Sequence, residues 1–379
     1  MAALPSMPFL SPCRRAFLAG SLSACILPSL SPAQEEERQK PATNDCPRCG
    51  GLKRVPLKNA KPFVWLKDDP PLNVETAVGV QFCPQCQMGN DPAQLLAELQ
   101  EQVDAAVAKN LEWEERTGFK LLLAVTHNVT LHTQLTAEQA RAVGKAIETF
   151  ALHLARVTDS LLLTPTRPSR FGLMVLWEKS SWTQFRKVME GLYTREQLGE
   201  SWTSAANYNS YDHFVTPHMY ETPESVRTRP PTVGSTFIVA RRQLSVATSW
   251  RAPFWLSEGF AAYADYIVHK TNRWFTVYDP SRVPTIGDWM QEARRQSSGG
   301  KSRPWNKLFD REVRDFAPAD YSQAMAMVAF LLESKPPDFL NLARKLRARQ
   351  PQQAALESAY EASLTELEQR CKRWLVARK

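Results

Sequence analysis

From Phe119 to Val125 and from Val129 to His132 the apolar residues cluster at the spacing of two short strands. The pattern then changes. Thr136-Ala137-Glu138-Gln139 forms a capping box. After it, Ala140, Val143, Ile147, Phe150, Leu154 and Val157 recur at helical spacing and predict a long helix with one buried face. Phe171 to Trp177 predicts another strand, and Trp182-Thr183-Gln184-Phe185 begins a further helix. Upstream, from Asp91 to about Arg116, Leu95, Leu96, Leu99, Val103 and Val107 recur at the same helical period with charges between them. Downstream, Asp320-Tyr321-Ser322-Gln323-Ala324 leads into an apolar helix through Met325, Val328, Ala329, Leu331 and Leu332. Ser363-Leu364-Thr365-Glu366 caps a last helix with Leu364, Leu367, Cys371 and Trp374 on one face.

The first 33 residues break this pattern and look like an export signal. Arg14-Arg15-Ala16-Phe17-Leu18 is a twin-arginine pair running into an apolar region that ends near Leu30, and Ser31-Pro32-Ala33 offers small residues for cleavage. A twin-arginine route carries proteins already folded. Leu22-Ser23-Ala24-Cys25 resembles a lipobox, in which Cys25 would be lipidated and would tether the chain to a membrane. The apolar run continues past it through Ile26-Leu27-Pro28, which favours cleavage after Ala33. The expected location is periplasmic or cell-envelope. The chain carries a net charge of +8, and +6 once Arg14 and Arg15 are removed with the signal. That charge is spread along the sequence with no arginine–aromatic tract, so nucleic acid is not an expected partner.

Five cysteines remain beyond the signal, and four of them form two Cys-x-x-Cys pairs: Cys46 with Cys49, and Cys83 with Cys86. Each pair turns both sulfurs to one side of a tight knuckle, and two such knuckles complete a tetrahedral four-thiolate site for structural zinc. Short strands are expected at Gly51 to Val55 and Thr76 to Phe82, giving a segment that resembles a zinc ribbon. A disulfide framework is the competing reading in an oxidising compartment. A thioredoxin-like redox pair would need a βαβ context that neither pair has, and haem attachment fails because Gly50 and Gln87 follow the knuckles where histidine is required.

The most specific segment is Trp255-Leu256-Ser257-Glu258-Gly259-Phe260-Ala261. In the order strand, amphipathic helix, strand, helix, then Glu-Gly-Phe-Ala, the chain from about residue 118 resembles the peptidase MA-like family of gluzincin metallopeptidases. That resemblance implies an α+β fold: a zincin-like mixed strand and helix domain, then a helical C-terminal subdomain, here preceded by the ribbon. It also implies a His-Glu-x-x-His helix upstream, with two histidine zinc ligands one turn apart, a catalytic glutamate, and a third zinc ligand at Glu258. The corresponding stretch reads Val239-Ala240-Arg241-Arg242-Gln243-Leu244-Ser245. Arg241 and Ser245 fall at the histidine positions and Arg242 at that of the catalytic glutamate. Arginine cannot ligate zinc and serine is a poor substitute for imidazole. No shift of register rescues the motif, because no histidine lies between His218 and His269.

A carboxylate at Glu258 without a metal would be costly to bury. The expectation is that Arg241 or Arg242 fills the vacated space and pairs with it, one cation replacing another. Two plainer alternatives are that Glu258 caps a helix begun at Ser257, or faces solvent. His213, His218 and Glu221 are close in sequence but lie in a Pro-rich stretch without helical spacing, and His127, His132, His153 and His269 are isolated. No Gly-x-Ser-x-Gly nucleophile elbow is present, and Cys371 sits on an apolar helix face.

The organisation expected is an export signal over 1–33, a zinc ribbon over 41–90, a helical linker over 91–117, a gluzincin-like domain over 118–270 and a helical subdomain over 271–379. The expected function is a non-catalytic, peptidase-like protein that binds an extended peptide or protein in the former substrate cleft. An active hydrolase with other ligands or other catalytic groups, and a thiol-redox module, remain as alternatives.

Overall fold

A computed structural model describes residues 54–56, 61–73, 80–82, 92–158, 171–176, 179–192, 208–209, 214–215, 231–270, 272–273, 286–312 and 315–378. The signal-like segment, Cys25, the four knuckle cysteines Cys46, Cys49, Cys83 and Cys86, and the His213, His218 and Glu221 stretch lie outside the described residues. In chain order, strands β1 (Arg54–Pro56), β2 (Trp65–Leu66) and β3 (Val80–Phe82) precede helix α1 (Pro92–Thr117). Strands β4 (Leu122–Val125) and β5 (Val129–Thr133), helix α2 (Ala137–Thr158), strand β6 (Phe171–Val175) and helix α3 (Lys179–Leu192) follow. After the two-residue strands β7 (Tyr208–Asn209) and β8 (Phe214–Val215) come helices α4 (Pro231–Ala247) and α5 (Phe254–His269). Strands β9 (Asn272–Arg273) and β10 (Ile286–Gly287) lead to α6 (Trp289–Ser298), α7 (Trp305–Phe309), α8 (Pro318–Ser334), α9 (Pro336–Arg347), α10 (Gln352–Tyr360) and α11 (Leu364–Ala377).

The fold is α+β and mostly helical, around one four-stranded sheet of order β2-β4-β5-β6. The β2–β4 and β4–β5 pairs are antiparallel and β5–β6 is parallel, with Val129 opposite Phe171. A parallel pair needs a long crossover, and α2 lies within it. Side chains alternate along β4. Leu123 and Val125 meet Val103 and Ala106 of α1, whereas Ala124 packs with Ala140, Val143 and Ile147 of α2. The helix expected as a linker is therefore packed along the sheet, with Leu99, Val103, Ala106 and Trp113 all buried.

Helix α2 opens on the expected capping box. Gln139 N–H donates to Thr136 Oγ1 at 3.3 Å and Thr136 N–H donates to Gln139 Oε1 at 3.1 Å. Its expected stripe is buried except for Val157, which is half-buried at the C-terminal end. The stripe serves two cores in turn. Its first half faces the sheet, and Phe150 and Leu154 join the helical core beyond it. The strands run slightly shorter than the apolar runs predict, since β4 begins at Leu122 and β6 ends at Val175.

Beyond the sheet, α5 and α8 form the centre of the helical half, buried without interruption from Trp255 to Asp265 and from Asp320 to Leu332. A helix apolar all round needs neighbours on every side; α4 and α8 flank α5, while α6, α9 and α11 pack on α8. Ser363 caps α11 as expected, accepting from Glu366 N–H at 3.3 Å. Leu375 takes the last core position of that helix, and Trp374, expected there, is half-buried beside it, its ring meeting Phe330 at 5.9 Å.

The α5–α8 contact is close enough to dictate sequence. A Cβ on Gly259 would lie 2.5 Å from Ala324 O and 2.9 Å from Val328 Cγ2. Backbone cannot step aside as a flexible side chain can. Gly259→Ala would gain roughly 1 kcal/mol of helix propensity and lose roughly 1–3 kcal/mol to overpacking, so a net fall in denaturation midpoint is expected. Gly191 in α3 meets nothing within 4 Å, and there the same change should raise the midpoint. Equal shifts at the two sites would refute the close-packing account.

Candidate functional site

Helices α4 and α5 pack directly on one another, joined by the turn 248–253. Pro231 sets the first turn of α4, where its missing N–H costs nothing. The helix ends where Trp250 N–H reaches back to Ser245 O at 2.5 Å and Thr248 N–H to Leu244 O at 2.9 Å. Thr248 fixes the turn, its hydroxyl donating to Leu244 O at 2.9 Å and accepting from Ala252 N–H at 3.1 Å. Pro253, in extended conformation, then caps α5.

This hairpin brings Arg241 to Glu258, with Nε 3.3 Å from Oε1. The carboxylate is buried, and the guanidinium side chain is 36% exposed. The contact is Coulombic, since Glu258 Oε1 has no hydrogen-bond partner among the described residues. Helix α5 begins at Phe254, so Glu258 lies in its second turn and neither caps a helix begun at Ser257 nor faces solvent. Burial pushes the Glu258 carboxyl above its usual range, and Arg241 pulls it part of the way back. Burial is the larger effect.

The two arginines diverge. Positions 241 and 245 share one half-exposed side of α4. Arg242 points elsewhere: it is buried, its guanidinium carbon sits 3.8 Å over the Trp250 ring, and burial lowers its pKa to about 10. Ser245 donates its hydroxyl back to Arg241 O at 2.9 Å, the local bond that serine makes inside helices. Of the polar residues deeper in α4, Gln243 and Ser235 are buried with no side-chain hydrogen bond among the described residues.

Further along the same side of α5, two and three turns past Glu258, stand Asp265 and His269, with Oδ1 and Nε2 3.8 Å apart. The helical spacing of Glu258, Asp265 and His269 could have shown this stripe in the sequence. The other histidines among the described residues are separate from it. His132 Nδ1 meets Asn110 Oδ1 at 2.7 Å against α1, and the His127 ring lies 4.9 Å from that of Phe63. His153 Nε2 lies 2.8 Å from the Tyr263 hydroxyl, which donates to Glu333 Oε1 at 3.0 Å. Burial lowers the His153 pKa and raises that of Tyr263. Cys371 is enclosed, and burial raises its thiol well above the reactive range.

The donor set at the hairpin does not suit zinc. A guanidinium, a hydroxyl engaged with its own helix and one carboxylate offer a single ligand where a tetrahedral site needs at least three from protein. Among the described residues, no group of three His, Cys, Asp or Glu side chains converges on a point that could hold a metal ion. What the arrangement does is set one half-exposed guanidinium against one buried carboxylate between two packed helices. No protein-family model matches this chain, and no curated protein matches it.

Arg241→Ala leaves Glu258 buried and unpaired. A fully buried pair would lose about 3–5 kcal/mol on such a change; because Arg241 is partly solvated, about 1–3 kcal/mol is expected. A double variant with Glu258→Gln should recover most of that loss, measured by urea denaturation at neutral pH. No recovery would show that Arg241 acts through packing alone.

The pH dependence has a definite sign. Glu258 titrates higher in the folded chain than in the unfolded one, so the folded state binds more protons between the two values. Its contribution to stability is complete below the ordinary carboxylate range and is lost as pH rises through the folded value. Removing Arg241 raises the folded value further and extends that decline to higher pH. A denaturation midpoint followed from pH 4 to pH 9 should fall more steeply in Arg241→Ala than in the parent, and Glu258→Gln should flatten both profiles.

Proposed function

We propose that the chain is an exported, non-catalytic relative of the gluzincin peptidases that binds an extended peptide or protein segment in the cleft floored by α4 and α5, and carries a structural four-cysteine zinc ribbon at its N-terminal side. The observation that carries the reading is the Arg241–Glu258 contact at 3.3 Å. In the resembled family, the residue at position 241 would be a zinc ligand facing the glutamate of the next helix. Here a side chain of fixed positive charge faces that glutamate directly. Arginine stays protonated at any accessible pH, so it can balance the carboxylate yet cannot activate water as a metal ion does.

Further support comes from the packing. The α4–α5 hairpin lies against α2, which is itself packed on a mixed sheet, and Gly259 follows Glu258 at the place where α8 approaches most closely. One residue of the Glu-Gly pair thus serves the cleft and the next serves the core. For the ribbon, β1 and β3 pair antiparallel with Arg54 opposite Phe82. The chain entering β1 and the chain leaving β3 therefore lie at the same end of this pair; in sequence Cys49 stands five residues before β1 and Cys83 directly follows β3. Two knuckles need that arrangement to share one metal.

Elemental analysis of protein purified without added zinc, beside a digestion assay on a peptide library with chelator controls, tests the reading. One zinc per chain, lost in Cys46→Ser or Cys83→Ser, with no chelator-sensitive cleavage, is the expected result. A second metal that survives those substitutions, together with chelator-sensitive cleavage, would replace this reading with that of an active hydrolase.

A further inference from the structure

We propose that the edge of the main sheet is a metal-dependent brace: zinc at the four knuckle cysteines and strand β2 in the sheet form one coupled equilibrium, in which each strengthens the other. This rests on the four-cysteine zinc reading above and adds what the metal does for the rest of the chain.

Strand β2 belongs to two structures at once. It lies within residues 57–79, the connection between β1 and β3, yet it pairs antiparallel with β4, Trp65 opposite Val125 and Leu66 opposite Ala124. A turn of about two to five residues is enough to join two antiparallel strands. The far longer connection here runs out to the main sheet and back. Its side chains serve both cores. Val64 and Leu66 pack on the α2 side of the sheet, and Trp65 packs on the α1 side. Leu66 is 3% exposed. The fit is close, for a Cβ on Gly144 of α2 would fall 2.9 Å from both Val64 methyls. Beyond β2, Lys67 N–H still donates to Leu123 O at 3.2 Å. The turn that follows is closed by Asp69, whose Oδ2 accepts from Leu66 N–H at 2.8 Å and whose carboxylate pairs with Arg141 of α2.

The ribbon end of this arrangement is weak by itself. Strands β1 and β3 have three residues each, with Pro56 opposite Val80. A two-stranded pair that short does not hold in water without further support. A metal shared by the knuckles closes the pair, and both ends of the connection then start from one point. That closure lowers the entropy lost when β2 is seated. In return, a seated β2 keeps β1 and β3 within reach of one another, and β1 itself lies against α2. Where a metal site is completed by folding, binding and folding share one free energy, and the coupling acts equally in both directions.

The test uses the full chain with zinc and after chelation. Hydrogen exchange read by mass spectrometry should rise in residues 61–73 and 122–125 when zinc is removed, while 254–269 and 320–332 keep their protection. Zinc affinity, read by competition with a colorimetric chelator, should fall about tenfold in Leu66→Ala. Asp69→Ala, which leaves the buried strand side chains intact, should weaken zinc in the same direction. Leu367→Ala removes a comparably buried leucine from α11 and should lower the melting temperature without changing zinc affinity. Residues 61–73 that stay protected in the zinc-free protein, or unchanged zinc affinity in both strand variants, would overturn the proposal and leave the ribbon standing. Exchange that rises throughout the chain would make zinc a requirement of the whole fold and overturn it as well. If the chain binds no zinc, both readings fall.

Discussion

Helix α5 is shielded from water along eleven consecutive residues, and one of them is a carboxylate. A lone charge at that depth would cost several kcal/mol even after relaxation, so everything around Glu258 is arranged by the need to answer it. The answer comes from Arg241 on the facing side of α4. Because the hairpin turn is short and fixed by Thr248, the two helices cannot slide to exchange Arg241 for Arg242. The guanidinium that faces Glu258 keeps its outer part in solvent, while the next one is buried under Trp250.

The neighbouring side of α5, about a hundred degrees around the helix, imposes a different demand. Val328 and the Ala324 carbonyl approach Gly259 so closely that no side chain fits. Around this contact the aromatic residues set the spacing: the Phe260 ring lies 5.5 Å from that of Phe150 and 6.1 Å from that of Phe339, and Trp255 stacks on Phe309 at 4.8 Å. Fully burying an aromatic side chain of this size is worth roughly 1.5–3 kcal/mol, so several together can carry the cost of one partly compensated carboxylate. The α4–α5 hairpin is backed on this side by a close-packed core.

The polar links that cross the helical half serve the same end. His153 on α2, Tyr263 on α5 and Glu333 on α8 form a continuous chain, and Glu333 also pairs with Arg378 beyond the end of α11. Three helices and the C-terminal segment are thereby tied at one point. A second tie is Asp320, which accepts from Ala317 N–H at 2.9 Å and lies 3.0 Å from Arg303 Nε. Both are buried or half-buried polar groups with satisfied partners, the condition under which they add specificity instead of strain.

The sequence by itself determined the local elements where one physical signal dominates. The capping box at Thr136, the apolar stripe of α2 and the Ser363 cap all follow from chemistry within a few residues, and they stand where the pattern placed them. The sequence also pointed to Glu258 and a cationic answer to it, because an acid in an apolar segment and the arginines a short way upstream are visible in one line of text. Only the tertiary structure decided which arginine answers. Positions 241 and 242 differ by a hundred degrees around a helix, and the hairpin geometry selects between them. It likewise decided that α1 is packed on the sheet and not a free linker, since an amphipathic stripe shows that a helix has a buried face but not what covers it. The left-handed Trp250 gave no sign in the sequence, because local backbone preference favours glycine or asparagine there; the stack on Arg242, made by residues eight apart, lies against it.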